Sequence, residues 1–309
     1  MDPVTRAMLD TFDHTDFAAT ELSAHLPGPV SVVVPTRNTA GTIAQTVAEL
    51  LILADAEIVS QILVVDADSV DGTAVTARDA GAQVVSENDL MPEFGPVRGK
   101  GDAMWRSLEA VTGDLVVFVD GDIADFGRHY VTGLLGPLCR DPDKRFVKGC
   151  YRRPFRQETS EQPAGGGRVT ELTARPLLAR TVPDLIQFDQ PLAGEVAAHR
   201  SLLDSIPFHT GYGVEIAMLV EVWDRLGLDG MAQVGLGTKR NAHQSLAALG
   251  GMAAEVIDAL DAVLADLDRG DLGEIIPAPE AANDPVVRPA RTSLAAGDGD
   301  RKPLDPADI

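Results

Sequence analysis

The chain has 309 residues, 45% of them hydrophobic and 5% aromatic, with a formal net charge of −21. Such a balance excludes the extended basic face that nucleic acid or an anionic membrane requires, so any bound phosphate needs a local cluster of basic side chains. Cys139 and Cys150 are the only cysteines, too few for a disulfide framework or a thiolate zinc site, and they point to a reduced, cytoplasmic setting.

Residues 1–26 read as a polar helical lead-in with Met8, Leu9, Phe12 and Phe17 as docking residues. Its opening, MDPVTRAMLDTFDHTDF, has no basic start followed by an apolar core and so does not read as a signal peptide. Val30–Val34 is a β-branched strand stopped by Pro35. After the loop Thr36-Arg37-Asn38, Asn38 or Thr39 caps a helix with Ile43, Val47, Leu50 and Leu51 on its apolar side. A second strand, Ile62–Val65, leads into Asp66-Ala67-Asp68-Ser69. A short helix begins near Asp71 or Thr73 and stops at Gly81. Val84-Val85 makes a third strand, and a loop from Met91 ends in Arg98-Gly99-Lys100-Gly101. A helix with Met104, Trp105 and Leu108 then delivers the chain to Leu115–Val119, an unbroken apolar run suited to a strand buried on both faces. No stretch approaches the length of a membrane span. Strands alternating with helices at this spacing predict an α/β fold, a mostly parallel, twisted, Rossmann-like sheet flanked by helices.

Beyond Asp122 the pattern becomes mainly helical. Phe146–Gly149 reads as one more strand, Tyr151-Arg152-Arg153-Pro154 brings positive charge, and Glu158–Gly167 reads as a mobile loop. Helical spacing runs from Thr170 to Ala179, where Pro176 should kink or interrupt it, and from Glu215 to Leu226. It recurs along Gly251–Leu267, with Met252, Val256, Leu260, Val263 and Leu267 on one face. The segment from Pro277 onward holds six of the 20 prolines. It reads as a disordered tail whose removal should change neither stability nor turnover.

Chemistry concentrates at the ends of the strands. Asp120-Gly121-Asp122 places two carboxylates where a parallel strand meets its C-terminal loop, the edge at which open α/β sheets bind ligands. Such carboxylates suit Mg²⁺ or Mn²⁺ shared with a nucleotide diphosphate; an ordinary Asp-Gly turn has the same letters. Pro35, Thr36 and Arg37 can border a flat base, and Asp66 and Asp68 can accept bonds from ribose hydroxyls or a base N–H. Lys100, between glycines that allow close backbone approach, can offset a diphosphate. Gly167-Arg168-Val169-Thr170 offers backbone donors, a guanidinium and a hydroxyl before a helix, a plausible anion site or an ordinary N-cap. Glu215 follows glycines that permit tight approach, and His243 could ligate a metal or orient a phosphate. Neither a G-x-S-x-G elbow nor a Walker P-loop is present.

The succession Val-Val-Val-Pro35-Thr36, Val-Val-Asp66-x-Asp68-Ser, Gly-Lys100-Gly and Val-Asp120-x-Asp122 resembles retaining glycosyltransferases of the GT-A type. Longer stretches resemble the glucosyl-3-phosphoglycerate synthase family: Gly-Lys100-Gly-Asp-Ala-Met-Trp105-Arg-Ser-Leu, Gly167-Arg-Val-Thr-Glu-Leu-Thr-Ala-Arg-Pro-Leu-Leu178, Gln190-Pro-Leu-Ala-Gly-Glu195 and Gly211-Tyr-Gly-Val-Glu-Ile216. The likeness runs from about Met1 to Leu267. It implies a GT-A fold and metal-dependent transfer of glucose from UDP-glucose to 3-phosphoglycerate with retention at the anomeric carbon. It further implies that Pro35, Thr36 and Asp68 contact the uridine, Lys100 the diphosphate, and Asp120 and Asp122 the ribose and the metal. Leu192 and Glu215 would line the sugar pocket, while Gly167, Arg168 and Thr170 would hold the acceptor phosphate. Where the family often reads His-Arg-Asn-Arg, this chain has Asn241-Ala242-His243-Gln244, with His243 as the matching candidate for metal and acceptor.

On this reading the chain divides into the lead-in (1–26), a nucleotide-sugar-binding part (27–150), an acceptor-binding part (151–275) and the tail (276–309). The expected partners are UDP-glucose, a phosphorylated small acid and a second copy of the chain. A transferase using GDP-mannose or GDP-glucose, or a catalytically silent sugar-nucleotide-binding protein, are the alternatives.

Overall fold

The computed structural model describes residues 7–157, 160–162, 166–240, 244–268 and 286–296. The chain begins with strand β1 (Asp10–Asp13) and the one-turn helix α1 (Ala19–Leu22). Strands and helices then alternate through β2 (Val30–Thr36), α2 (Ile43–Asp55), β3 (Gln61–Asp66), α3 (Thr73–Asp79), β4 (Gln83–Ser86), α4 (Gly99–Ser107) and β5 (Leu115–Phe118). After α5 (His129–Arg140) and β6 (Phe146–Arg152) comes a hairpin of β7 (Phe155–Gln157) and β8 (Ser160–Gln162). A π-helical turn at Thr170–Ala174 runs into α6 (Arg175–Thr181), so the irregularity expected from Pro176 is a change of helical pitch just before it. Next are β9 (Val196–His199), α7 (Arg200–Ser205), β10 (Phe208–His209), α8 (Val214–Leu226), β11 (Met231–Thr238) and α9 (Leu246–Asp266). β12 (Val287–Arg288) and α10 (Arg291–Ala296) complete the described chain.

Eight strands form one sheet in the order β1-β11-β6-β9-β5-β2-β3-β4. It is parallel throughout except at β9, which runs antiparallel to β5 and β6. The central strands are apolar at nearly every position because both faces are covered. Alternation sends Val33, Val116 and Phe118 into one core with Trp105, Ile216 and Leu260, and Val32, Val34 and Val117 into the other with Leu50, Tyr130 and Leu134. The mostly parallel α/β sheet expected from the sequence is therefore present, with strands from both sides of residue 150 sharing it. One consequence bears on the site. Since β9 is reversed, its first residue pairs with the last residue of β5 (Val196 with Phe118), and the loop before β9 joins the loops after the parallel strands at a single edge.

Two expectations fail in this fold. The lead-in is only in part helical: β1 adds a parallel strand outside β11, followed by a 3₁₀ turn at His14–Asp16 and the one-turn α1. An open sheet edge satisfies the backbone of Asp10–Asp13 better than a short polar helix would. Leu9 and Phe17 are buried and Phe12 packs partly against the core, whereas Met8 is 75% exposed. The hairpin β7–β8 likewise replaces part of the expected mobile loop at Glu158–Gly167, whose residues 158–159 and 163–165 lie outside the described residues.

Nor is the tail disordered over residues 286–296. β12 pairs antiparallel with β10, and Arg288 places a bidentate fork on the fully buried Asp102 at 2.8 and 2.7 Å. The Trp105 indole donates to the Pro289 carbonyl at 2.9 Å. Composition hides this because a few well-placed side chains, rather than a large apolar area, do the docking. Deleting residues from Pro279 onward is accordingly expected to lower stability by about 3 kcal/mol, as when one partner of a buried ion pair is removed. In a thermal melt that is a fall on the order of 10 °C; an unchanged midpoint would contradict the docking.

Candidate active site

Five charged side chains alternate in sign along the sheet edge. Lys100, in the first turn of α4, reaches Asp120 Oδ1 at 2.6 Å and Glu215 Oε1 at 2.8 Å. Lys239, just past β11, reaches Asp120 Oδ2 at 2.6 Å and Glu195 Oε1 at 2.5 Å. Each group arrives from a different element: Asp120 from the end of β5, Glu195 from the loop before the reversed β9, and Glu215 from the first turn of α8. Gly194 makes the convergence possible, since a Cβ there would run into Lys100 Nζ and Asp120 Oδ1.

Burial and pairing compete at these groups. Burial alone would lower the Lys100 ammonium, but Asp120 and Glu215 outweigh it and hold the group charged well above the usual lysine range. The same contest keeps Lys239 high through Asp120 and Glu195. Burial would raise Asp120, yet the two lysines hold its carboxyl well below the usual range. Glu195 is fully buried with Oε2 lacking a hydrogen-bond partner, and burial pushes its carboxyl up against the pull of Lys239. Asp122 stands at the surface of the same edge. Its carboxyl is pushed up by desolvation against the wall of the site and by the adjacent Asp120 charge. Asp122 therefore presents an oxygen donor that a hard cation would stabilise. Among the described residues no group of three or more His, Cys, Asp and Glu could hold a metal by itself, so a metal here would need oxygens from a ligand as well.

The loops after β2 and β3 form the next part of the edge. Thr36 is buried, hydrogen-bonds Thr39 through its hydroxyl, and lies so close to Gly121 that a Cβ there would press on Thr36 Oγ1 at 2.7 Å. Thr42 Oγ1 donates to the Gly121 carbonyl at 2.7 Å, tying this loop to the Asp120 loop. Pro35 is half-buried and Arg37 exposed. Asp66 is buried, accepts from the Ser69 N–H at 3.0 Å and leaves Oδ1 without a partner. Asp68 is exposed with a φ of 49° and accepts from Asn88 Nδ2 at 2.6 Å.

Beyond Glu195 lies the segment read as an anion site. Gly167 has a φ of 72°, Thr170 is buried, and Arg168 Nη2 donates to the Gln244 carbonyl at 3.0 Å. Arg153 runs alongside: its carbonyl accepts from the Gly166 N–H at 3.1 Å, and its side chain borders Gly167. A cavity of about 600 Å³ opens beside this segment, lined in part by Tyr151, Arg152, Arg175, Asp189 and Gln190. Leu192 is half-buried and packs against the core. His243 falls within 241–243, outside the described residues.

The structure thus unites Lys100, Asp120 and Glu215, sets Asp122 and Thr36 beside them, and keeps Gly167, Arg168 and Thr170 as a separate patch. Lys239 escapes sequence reasoning because Gly235 and Gly237 dilute the strand signal of β11, whose register slips between Gly235 and Thr238. Lys148 escapes because a lysine inside an apolar strand looks like an edge position. It is fully buried, and Nζ donates to the Ala193 carbonyl at 2.7 Å.

Residues 31–188 match the model of glycosyl transferase family 2. The glucosyl-3-phosphoglycerate synthase of Mycolicibacterium smegmatis is 47% identical over 234 residues, covering 75% of this chain and 76% of that protein. Among solved structures, the mannosyl-3-phosphoglycerate synthase of Rubrobacter xylanophilus superposes with a TM-score of 0.82 at 40% identity, covering 92% of this chain and 97% of the other. The glucosyl-3-phosphoglycerate synthase of Mycobacterium tuberculosis, in complex with Mn²⁺, UDP-glucose and phosphoglyceric acid, gives 0.80 at 40% identity, covering 93% and 100%.

Lys148 supplies a test of the electrostatics. Burial, opposed in part by Glu215, pushes its ammonium down to about 8, against about 10.4 in an unfolded chain. Between those values the unfolded state binds more protons, so this group's contribution to stability rises with pH across the window and its penalty is full below it. In urea titrations, the stability of Lys148→Met relative to the parent should fall by on the order of 3 kcal/mol from pH 8 to 10.5. A difference independent of pH would contradict the buried charge.

Proposed function

The chain belongs to glycosyl transferase family 2 and, within it, to the glucosyl-3-phosphoglycerate synthases, and from that premise we propose that it transfers glucose from UDP-glucose to 3-phosphoglycerate with retention of configuration. Its fold is GT-A. The observation that carries the proposal is the Lys100–Asp120–Lys239 ion network beside the open carboxylate of Asp122, at the edge where a nucleotide diphosphate would lie. Residues 27–150 are assigned to the nucleotide sugar, with Pro35, Thr36, Arg37, Asp66 and Asp68 around uridine. Residues 151–275 are assigned to the acceptor, with its phosphate on Gly167, Arg168 and Thr170.

Lys100 keeps its charge and offsets the negative charge that grows on the departing diphosphate. Asp120 fixes Lys100 from one side and Glu215 from the other. Asp122, with diphosphate oxygens, would hold Mg²⁺ or Mn²⁺. When bound, the metal supplies Lewis-acid stabilisation of the leaving group. For retention, the acceptor hydroxyl attacks from the face that UDP leaves, and its proton passes to the departing phosphate oxygen. That route needs no protein base. Glu215 is engaged with Lys100, which favours an orienting role over service as a covalent nucleophile.

The free thiols Cys139 and Cys150 support a cytoplasmic setting, and no described helix is long and apolar enough to cross a membrane. A homodimer remains part of the proposal and is read by sedimentation velocity. The likeness to a mannosyl-3-phosphoglycerate synthase favours a second reading in which a mannosyl donor is used.

Product formation over a matrix of UDP- and GDP-linked glucose and mannose, with 3-phosphoglycerate or glycerate, separates these readings. UDP-glucose with 3-phosphoglycerate should give the highest kcat/KM. Asp122→Ala should lower turnover by at least ~10²-fold while leaving the melting temperature nearly unchanged, because the side chain is exposed. Full activity of the parent in excess chelator would remove the metal from the mechanism.

Arg168 gives a separate expectation. Hydrogen bonds to a charged group contribute about 1.5–3 kcal/mol, so Arg168→Ala should raise the acceptor KM roughly ten- to a hundredfold and leave the donor KM alone. Equal use of 3-phosphoglycerate and glycerate by the parent would show that no phosphate site operates.

A further inference from the structure

The described C-terminal segment joins α4, which carries Lys100, to the approach to α8, which carries Glu215. On one side it grips α4. Arg288, 7% exposed, forks onto Asp102 at 2.8 and 2.7 Å, two residues after Lys100. Asp102 in turn accepts from the Arg98 N–H at 2.9 Å and from Arg106 Nε at 3.1 Å, bracketing the turn that presents Lys100. Arg106 also donates to the carbonyls of Leu90, Met91 and Gly95, so the loop leading into α4 hangs from the same buried cluster. Trp105 adds its bond to the Pro289 carbonyl.

On its other side the segment holds the approach to α8. β12 pairs with β10, the Thr210 N–H donates to the Val286 carbonyl at 2.9 Å, and the Val286 N–H returns a bond to Thr210 Oγ1 at 3.1 Å. Gly211, the next residue, donates its N–H to the Arg98 carbonyl at 2.9 Å. Gly101 lies so tightly under His209 that a Cβ would run into the His209 carbonyl. The first turn of α4 and the approach to α8 at His209–Gly211 therefore meet backbone to backbone, and residues 286–289 bind both.

We infer that Arg288 is a positioning residue for glycosyl transfer: through Asp102 and the β10–β12 pair it fixes Lys100 against Glu215 and Asp120, where the departing diphosphate needs its charge. This rests on the reading of Lys100 as the diphosphate's counter-charge. Displacement of such a group by an ångström costs up to about a hundredfold in rate, whereas the acceptor patch at Gly167–Thr170 is carried by other elements. Loss of Arg288 therefore acts on the leaving group and spares acceptor binding.

The test uses full-length Arg288→Ala, Arg288→Lys and Trp105→Phe, with UDP affinity from calorimetry and steady-state transfer from UDP-glucose to 3-phosphoglycerate, below each variant's melting transition. Arg288→Ala should lower kcat about tenfold or more and weaken UDP binding by a similar factor, with the acceptor KM within about twofold of the parent. Arg288→Lys, which keeps the charge but loses the fork, should recover only a minor part of that loss. Trp105→Phe should show a kcat fall of about threefold. A folded Arg288→Ala variant with unaltered kcat and UDP affinity, or one whose acceptor KM alone rises, would overturn the inference. If Arg288→Ala does not fold, unaltered kcat and UDP affinity in Trp105→Phe overturn it instead. If the parent itself makes no product, the reading of the reaction has failed, and UDP affinity alone still reports on the Arg288–Asp102 contact.

Discussion

Asp120 is gripped at both oxygens, by Lys100 on one side and Lys239 on the other, and the site depends on that double pair. Two ammonium groups this close would repel each other at an edge with little water to screen them. A single carboxylate between them makes their proximity favourable, and Glu215 and Glu195 complete the alternation. In a chain of net charge −21, two lysines held among three carboxylates offer an anionic ligand ammonium groups fixed in place rather than a local excess of positive charge. Both lysines are held protonated well above the usual lysine range, so each presents its full positive charge to a leaving phosphate at neutral pH.

The antiparallel strand β9 makes the network geometrically possible. β5 and β11 are separated in the sheet by β9 and β6, so the loops after them would not share a third partner in a wholly parallel arrangement. Reversing β9 brings Glu195 and Gly194 to that edge. Glu195 then meets Lys239, while Gly194 leaves the space that Lys100 and Asp120 fill. Behind this front, the buried Asp102–Arg106–Arg288 cluster plays the same part for α4. Buried charges of this kind add little net stability, but breaking one partner is costly, which suits them to fixing a single arrangement.

Much of the fold was legible because β-branched runs such as Val30–Val34 and Leu115–Val119 have one stable place, a strand covered on both faces. Lys100, Asp120 and Asp122 were legible because they sit at strand and helix ends, where ligand chemistry is expected. β1 and β12 were not, since each is a short segment whose strand character comes from the edge that it meets rather than from its own residues. Lys239 and Lys148 were missed for a related reason. Their importance arises from groups that are remote in sequence, Asp120 and Glu195 for one, the Ala193 carbonyl for the other. Gly167-Arg168-Val169-Thr170 reads as an anion site from the sequence alone, whereas Arg153 is brought beside it only by the fold.

Transfer on the face that the diphosphate leaves, with net retention, is the central claim, and the configuration of the product tests the retention most directly. Proton NMR of the material formed from UDP-glucose and 3-phosphoglycerate, followed from the first turnovers, reports the anomeric coupling before any mutarotation of free sugar can intrude. The predicted result is the small coupling of an α-glucosyl linkage, matching that of the donor. A large coupling, diagnostic of a β-linkage, would mean attack from the opposite face and would contradict the proposed roles of Lys100 and the departing diphosphate.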